Sequence, residues 1–457
     1  MKALQALGVD GPVSFTFLAR VVNILGSTGT VLLIVRFLTP VEQGYYYTLL
    51  SLVALEMIFE LGFSFVVQQL AAHECIHLTI NMDGSVSGDA GAQARLASII
   101  QLSVRWYRGT ALIMGMLLAP LGLVFFARHA THTTAQVAFQ GPWLLAVAAA
   151  MSGLLCTPFY SFLDGCGQVR AVAAMRLRQA GASTALAWSA MVLHHGLFAP
   201  CLVIVGRTGM GFLFLVANRR FLLGLLKYPV RGGGICWARD VLPFQWRIAV
   251  SWMCSYFTIQ LFIPILFATC GPVQAGQMGM SLSITGYMSA LVLPWVSTKA
   301  TPFGRLVAQR QFQGLDQLFR RTLGQSLAVF ALIALCACVG AALLPAIAPR
   351  LAARMVSPRL FAVLVVAAGA KSVVESLATL LRSFKREPFL LQSLAVAALT
   401  LALAALVAPR WGDAGVTFSY LGVTAGVALP SALTIFERAR RGYLSMAPRA
   451  LIGGSAR

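Results

Sequence analysis

Long apolar runs separated by short polar segments make up most of the chain. The runs are continuous and do not alternate with period two, which indicates helices. A helix needs roughly 20 predominantly apolar residues to cross a bilayer. We therefore predict an all-α polytopic membrane protein with about twelve spans. They lie near residues 14–37, 45–72, 109–127, 142–163, 172–193, 198–220, 244–268, 277–297, 324–347, 359–381, 389–408 and 415–436.

The composition supports this prediction. Of the 457 residues, 58% are hydrophobic and 11% are charged, with a mean hydropathy of +0.80. Soluble domains contain about 25% charged residues, so this chain has too few to cover a water-exposed surface. The net charge of +21 agrees with basic cytoplasmic loops, and no nucleic-acid partner is needed to explain it.

The distribution of lysine and arginine predicts the topology. If the N-terminus is cytoplasmic, most of them fall on cytoplasmic segments, which places both termini in the cytoplasm. The longest polar stretch, residues 73–108, is expected to be a cytoplasmic loop with an amphipathic piece at 93–105. We expect an N-terminal lobe of six spans at 1–226, a cytoplasmic linker at 227–243, a C-terminal lobe of six spans at 244–437 and a basic tail at 438–457.

Several ionisable or polar residues fall inside predicted spans, where they are costly and usually face a cavity or a partner. Basic or amide groups that would bind an anionic substrate are Arg20, Asn23, Arg207 and Lys371. Carboxylates that would couple ion movement or pair with these charges are Glu56, Glu60 and Glu375. In the alternative interpretation the charges only neutralise one another, with Arg20 pairing with Glu56 or Glu60 and Lys371 pairing with Glu375.

A second interpretation is a zinc site. His73-Glu74-Cys75-Ile76-His77 matches H-E-x-x-H, whose two histidines would bind zinc while Glu74 activates a water molecule. The element Leu163-Asp164-Gly165 resembles the LDG element of site-2-type intramembrane proteases, whose aspartate is the third zinc ligand, and this would make Asp164 that ligand. Both motifs lie at the cytoplasmic ends of predicted spans, the second and the fourth, so the two can approach each other. This hypothesis describes a site-2-type intramembrane protease. Against it, the proline pattern upstream of Asp164 is poorly kept.

Other motifs for catalysis are absent from the sequence. It contains no P-loop and no G-x-S-x-G nucleophile element, so we predict neither an enzyme nor a cofactor. The nine cysteines form no C-x-x-C pair, and we interpret most of them as small apolar residues. Any transport would depend on an ion gradient, the membrane potential or the substrate gradient.

Three elements carry a family resemblance: Phe37-Leu38-Thr39-Pro40-Val41-Glu42-Gln43-Gly44-Tyr45-Tyr46-Tyr47-Thr48, Phe59-Glu60-Leu61-Gly62 and Leu163-Asp164-Gly165-Cys166-Gly167-Gln168. With them, the first 170 residues or so resemble bacterial polysaccharide-export and O-antigen flippase-like proteins. These belong to the multidrug/oligosaccharidyl-lipid/polysaccharide (MOP) flippase superfamily. The last element is similar to the family's turn between spans four and five, which explains Asp164 without zinc.

The resemblance implies two six-helix lobes around a central cavity that opens alternately to either side of the bacterial inner membrane. The implied substrate is a polyprenyl-pyrophosphate-linked oligosaccharide, such as an O-antigen or exopolysaccharide repeat unit. Membrane lipid, a polysaccharide polymerase and glycosyltransferases are the implied partners. An alternative of the same fold is a multidrug or small-molecule cation antiporter, in which Glu56 and Glu60 would act.

Overall fold

The structure is a computed structural model that describes residues 11–76, 78–80, 86–129, 137–229, 237, 242, 246, 249–250, 253–254, 258–384 and 389–445. The side chains of residues 11–21, 23, 24, 80, 301, 444 and 445 lie outside that description. The chain forms two compact units. The first comprises Met1–Tyr256 with Gly271–Gly276, and the second comprises Phe257–Cys270 with Gln277–Arg457.

The first unit contains nine helices in its described part, joined by short connections. They are α1 (Gly11–Phe37), α2 (Pro40–Val53), α3 (Glu56–Glu60), α4 (Phe63–Cys75), α5 (Ala90–His129), α6 (Gln140–Gly165), α7 (Val169–Val192), α8 (Ala199–Ala217) and α9 (Arg219–Leu226). A 3₁₀ turn, Gly196–Phe198, precedes α8. Strands β1 (Leu78–Ile80) and β2 (Val86–Gly88) pair antiparallel, with Thr79 opposite Ser87.

The second unit is also helical in its described part. Its helices are α10 (Phe262–Cys270), α11 (Pro272–Ser297, whose first residues belong to the first unit), α12 (Ala300–Ala308), α13 (Phe312–Ile347), α14 (Pro349–Ala352), α15 (Pro358–Arg382), α16 (Leu390–Val423) and α17 (Leu429–Ser445). A π-helical turn, Thr424–Ala428, joins α16 to α17. Gly412, at φ 56° and ψ −137°, interrupts α16 and separates the two predicted spans there.

Seven helices of the described part are long and apolar enough to cross a membrane, and the bent pair Pro40–Glu60 and Phe63–Cys75 would add an eighth. Many large apolar side chains on them are exposed, among them Leu332, Leu335 and Leu406. Such a surface is suited to lipid rather than to water. The predicted all-α, multi-pass membrane architecture is confirmed.

The predicted span at 45–72 is broken in the structure and is not a single straight helix. The second span consists of α2, α3 and α4, and its two parts differ in direction by 44°. The break falls at Leu61 (φ 52°) and Gly62 (φ 64°), which both adopt the left-handed conformation. Glycine takes this conformation readily, whereas leucine does so at a steric cost.

The prediction of a loop at 73–108 is wrong in large part. The hairpin of β1 and β2 occupies part of it, and α5 begins at Ala90 and continues without interruption to His129. The Asp89 carboxylate accepts a hydrogen bond of 2.7 Å from the Ala92 N–H and so caps the helix. The amphipathic piece at 93–105 is therefore the first part of the third span's own helix.

The tyrosine-rich motif has structural roles in the first unit. Thr39 and Glu42 form a capping box at the start of α2, with Pro40 in its first turn. Gln43 donates a buried hydrogen bond of 2.9 Å to the Gly276 carbonyl. Gly44 packs so closely on the Pro272 carbonyl that a Cβ atom has no room there. These contacts hold α2 against residues 271–276.

A charged cluster and an aromatic core organise one end of the second unit. Arg440 binds Asp316 through two hydrogen bonds of 2.8 and 2.9 Å, and Arg320 approaches the same carboxylate at 3.1 Å. Beside it, Phe312 packs against Tyr443 at a ring-centroid distance of 5.5 Å. Asp316 therefore links the start of α13 to the end of α17.

Candidate functional site

An ion pair lies inside the first unit between the second and sixth spans. A guanidinium nitrogen of Arg207, on α8, is 3.6 Å from a carboxylate oxygen of Glu56, on α3. The Glu56 side chain is 17% exposed, whereas the Arg207 side chain is 54% exposed. The Glu56 side chain is thus mostly enclosed by protein, whereas the Arg207 side chain keeps much of its surface available to another group.

The surroundings of this pair add further polar groups. The hydroxyl of Ser64 donates a hydrogen bond to the carboxylate of Glu60. Arg207 also lies near enough to Glu60 and Tyr160 to interact with them electrostatically. The Gln179 side-chain amide, on α7, donates a 2.9 Å hydrogen bond to the Arg207 carbonyl and so ties α7 to α8 at this level. Four spans therefore contribute to one polar region.

The second unit has an ion pair of its own within α15. The Lys371 ammonium is 3.2 Å from a Glu375 carboxylate oxygen, one helical turn away. The two side chains are 32% and 37% exposed, so both remain partly accessible. Tyr420 is buried nearby and close enough to Glu375 to interact electrostatically. The pairing expected from the i, i+4 spacing is present.

The structure does not test the remaining two predicted substrate-binding residues. Arg20 and Asn23 belong to α1, but their side chains lie outside the described part of the chain. The partner observed for Glu56 is Arg207. Ser64 and Gln179 were not among the predicted residues. Ser64 follows Glu60 by four residues, but the break at Leu61 and Gly62 places the two on different helices, so helical spacing does not account for their contact.

The two carboxylates of the hypothetical zinc site have protein partners. Glu74 accepts a 2.8 Å charged hydrogen bond from Arg95. Asp164 accepts a 3.0 Å hydrogen bond from Gln68 and lies 3.7 Å from Arg176. His77 lies outside the described residues, and among the described ones no group of three or more His, Cys, Asp or Glu could hold a metal ion.

The chain's fold is that of known transporters. No family model and no curated protein matches the sequence. Among solved structures, a multidrug resistance MATE family transporter of the MOP superfamily in an inward-facing conformation matches with a TM-score of 0.65 and 11% identity, over 96% of this chain and 99% of that one. The chain has the MOP-transporter fold.

Two further MOP structures agree. A MOP superfamily transporter from Pyrococcus furiosus has a TM-score of 0.59 and 12% identity, and the match covers 98% of this chain and 99% of that one. The lipid II flippase MurJ has a TM-score of 0.58 and 11% identity, over 95% of this chain and 91% of that one. The predicted MOP-like fold class is thus confirmed over nearly the whole chain, and at these identities the likeness concerns the fold.

Proposed function

We propose that the protein flips a polyprenyl-pyrophosphate-linked oligosaccharide, an O-antigen or exopolysaccharide repeat unit, across the bacterial inner membrane by alternating access. Two general observations support this function. The fold is shared with a lipid II flippase. The tyrosine-rich motif, Leu38 to Tyr47, resembles that of the polysaccharide-export branch. Both termini would be cytoplasmic.

The observation that carries the proposal is the exposure of Arg207 at membrane depth. The Arg207 side chain is 54% exposed, although it is ion-paired and belongs to the helix of a predicted span. A guanidinium offers five N–H donors, and at 3.6 Å the contact with Glu56 leaves most of them for another acceptor. Guanidinium binds phosphate in bidentate geometry, so a pyrophosphate head group is a fitting ligand.

Lys371 would provide a second anion-binding group. Its ammonium group is a point charge, whereas a guanidinium is planar and binds in bidentate geometry. The ion pair with Glu375 holds the ammonium group in place along α15. Arg20 and Asn23 in α1 are proposed to bind the same substrate. Glu56, Glu60 and Glu375 would fix the position of the cations or couple ion movement, since the sequence contains no nucleotide-binding loop to use ATP.

A deletion strain tests the function. The gene is deleted in its host, and surface polysaccharide is measured after complementation with the wild type, Arg207→Gln, Lys371→Gln or Arg359→Gln. Arg359 is the matched control because it is exposed at the start of the helix that holds Lys371. We expect polysaccharide to be restored by the wild type and the control but not by the two test variants at equal membrane abundance.

The same strain distinguishes the alternative. A cation antiporter of this fold would depend on Glu56 and Glu60, and its loss would leave polysaccharide unchanged while increasing susceptibility to cationic drugs. That result would refute the flippase proposal. Loss of polymer together with accumulation of lipid-linked repeat units would support it.

A further inference from the structure

The structure brings together two cysteines that lie far apart in the sequence. Cys75 is the last residue of α4, and Cys166 follows the last residue of α6. Their thiols share a hydrogen bond. Both residues are unbridged and only partly buried, so a small reagent can reach them. The cysteine of the H-E-x-x-H motif thus meets the cysteine that follows Leu163-Asp164-Gly165.

The surrounding backbone fixes this contact. Gly165 lies so close to α4 that a Cβ atom would be 2.5 Å from the Gln68 carbonyl oxygen. The Gln68 amide donates its 3.0 Å hydrogen bond to Asp164, the residue before Gly165. After Cys166, Gly167 adopts a φ of 84° and ends the helix. The pair is therefore held by two independent contacts between α4 and α6.

We infer that Cys75 and Cys166 form a redox-active thiol pair that a low-molecular-weight disulfide converts into an intramolecular disulfide bond. The hydrogen bond with Cys75, and secondly burial, raise the pKa of the Cys166 thiol. Cys75 is also the less enclosed of the two residues, so its sulfur is the one that the reagent meets first and is the first nucleophile. Proteins facing a reducing cytoplasm use such bonds transiently, so this one would respond to oxidation.

The reaction has two steps. The Cys75 thiol loses its proton and its sulfur attacks the reagent disulfide; the reagent's S–S bond breaks, and one thiol leaves with a proton. Cys166 then loses its proton and its sulfur attacks the mixed disulfide at Cys75, releasing the second reagent thiol. Two protein thiols are oxidised, and one reagent disulfide is reduced to two thiols.

The test treats the purified full-length protein in detergent with oxidised glutathione. Remaining thiols are alkylated, and the products are mapped by peptide mass spectrometry. We expect a Cys75–Cys166 cross-linked peptide that disappears on reduction, at least about tenfold more abundant than any other cysteine pair. Cys336→Ser is the control, because Cys336 is exposed on α13, and it should leave the cross-link unchanged.

Single variants test the order of attack. Cys166→Ser should accumulate glutathione on residue 75, whereas Cys75→Ser should leave Cys166 at least about tenfold less modified. Equal modification of the two variants would contradict the order. A folded wild-type protein that carries glutathione on Cys75 without cross-linking, or that forms a different cysteine pair, would overturn the proposal even if neither variant folds.

Discussion

Variants of the Glu56–Arg207 ion pair can distinguish two roles of Arg207: stabilising the fold and binding substrate. In Arg207→Gln the Glu56 carboxylate, 17% exposed, loses its cation. Breaking a fully buried pair costs about 3–5 kcal/mol. Because Arg207 is 54% exposed and the contact is 3.6 Å, we expect a smaller loss of unfolding free energy, about 1–2 kcal/mol.

Replacing Glu56, the other residue of the ion pair, should destabilise the protein less than replacing Arg207. In Glu56→Gln the exposed Arg207 guanidinium can turn toward water, so we expect a loss below about 1 kcal/mol. The double variant contains no unpaired charge and should recover most of the stability, with a coupling energy of about 1 kcal/mol. Thermal unfolding of the four proteins in one detergent measures these differences.

The functional result of the same cycle decides the role of Arg207. If the guanidinium binds substrate, the double variant is stable but does not restore surface polysaccharide. Arg207→Lys, which keeps the charge but cannot bind phosphate in bidentate geometry, should restore surface polysaccharide in part. If the double variant restores polysaccharide fully, Arg207 serves only to neutralise Glu56, and the reasoning is refuted.

Three predictions concern stability, measured as unfolding midpoints in detergent. Gly44→Ala should cost about 1–3 kcal/mol because its Cβ atom meets backbone. Gly62→Ala should cost about 1 kcal/mol because its φ is 64°. The control for both variants is Gly109→Ala, which lies in open space within a helix and should not destabilise the protein. Equal effects at all three sites would contradict the packing argument. Asp316→Asn, which removes the acceptor of two arginines, should cost about 2–4 kcal/mol, whereas Glu437→Gln, in an exposed 3.9 Å pair, should change stability by less than about 0.5 kcal/mol; similar losses would refute the structural role of Asp316.

Hydrophobic patterning predicted the all-helical membrane class, because a bilayer restricts the backbone to helices whose length and composition are visible in sequence. The MOP-like fold was predicted from the motif resemblance. Local exceptions were harder to predict. Gly62 suggests a break, but the left-handed conformation of Leu61 arises only from packing around it. A polar segment that continues a span's helix, such as 90–108, cannot be distinguished from a loop by hydropathy.

The candidate site residues could be identified from the sequence, but most of their contacts could not. Sequence identified Glu56, Arg207, Lys371 and Glu375 as costly charges, and the spacing of the last two predicted their pairing. It could not pair Glu56 with Arg207, because a contact between the second and sixth spans depends on how the helices pack. The meeting of Cys75 and Cys166 was hidden for the same reason.

Translocation in reconstituted liposomes tests the central claim most directly. Purified protein is incorporated into vesicles with a fluorescent polyprenyl-pyrophosphate-linked oligosaccharide, and a membrane-impermeant reagent measures how much of it reaches the outer leaflet. We expect wild-type protein to equilibrate the lipid between leaflets, and Arg207→Gln to leave the inner-leaflet pool protected. Equal rates for wild-type and protein-free vesicles, with wild-type vesicles instead exchanging a cationic drug for protons, would contradict the account.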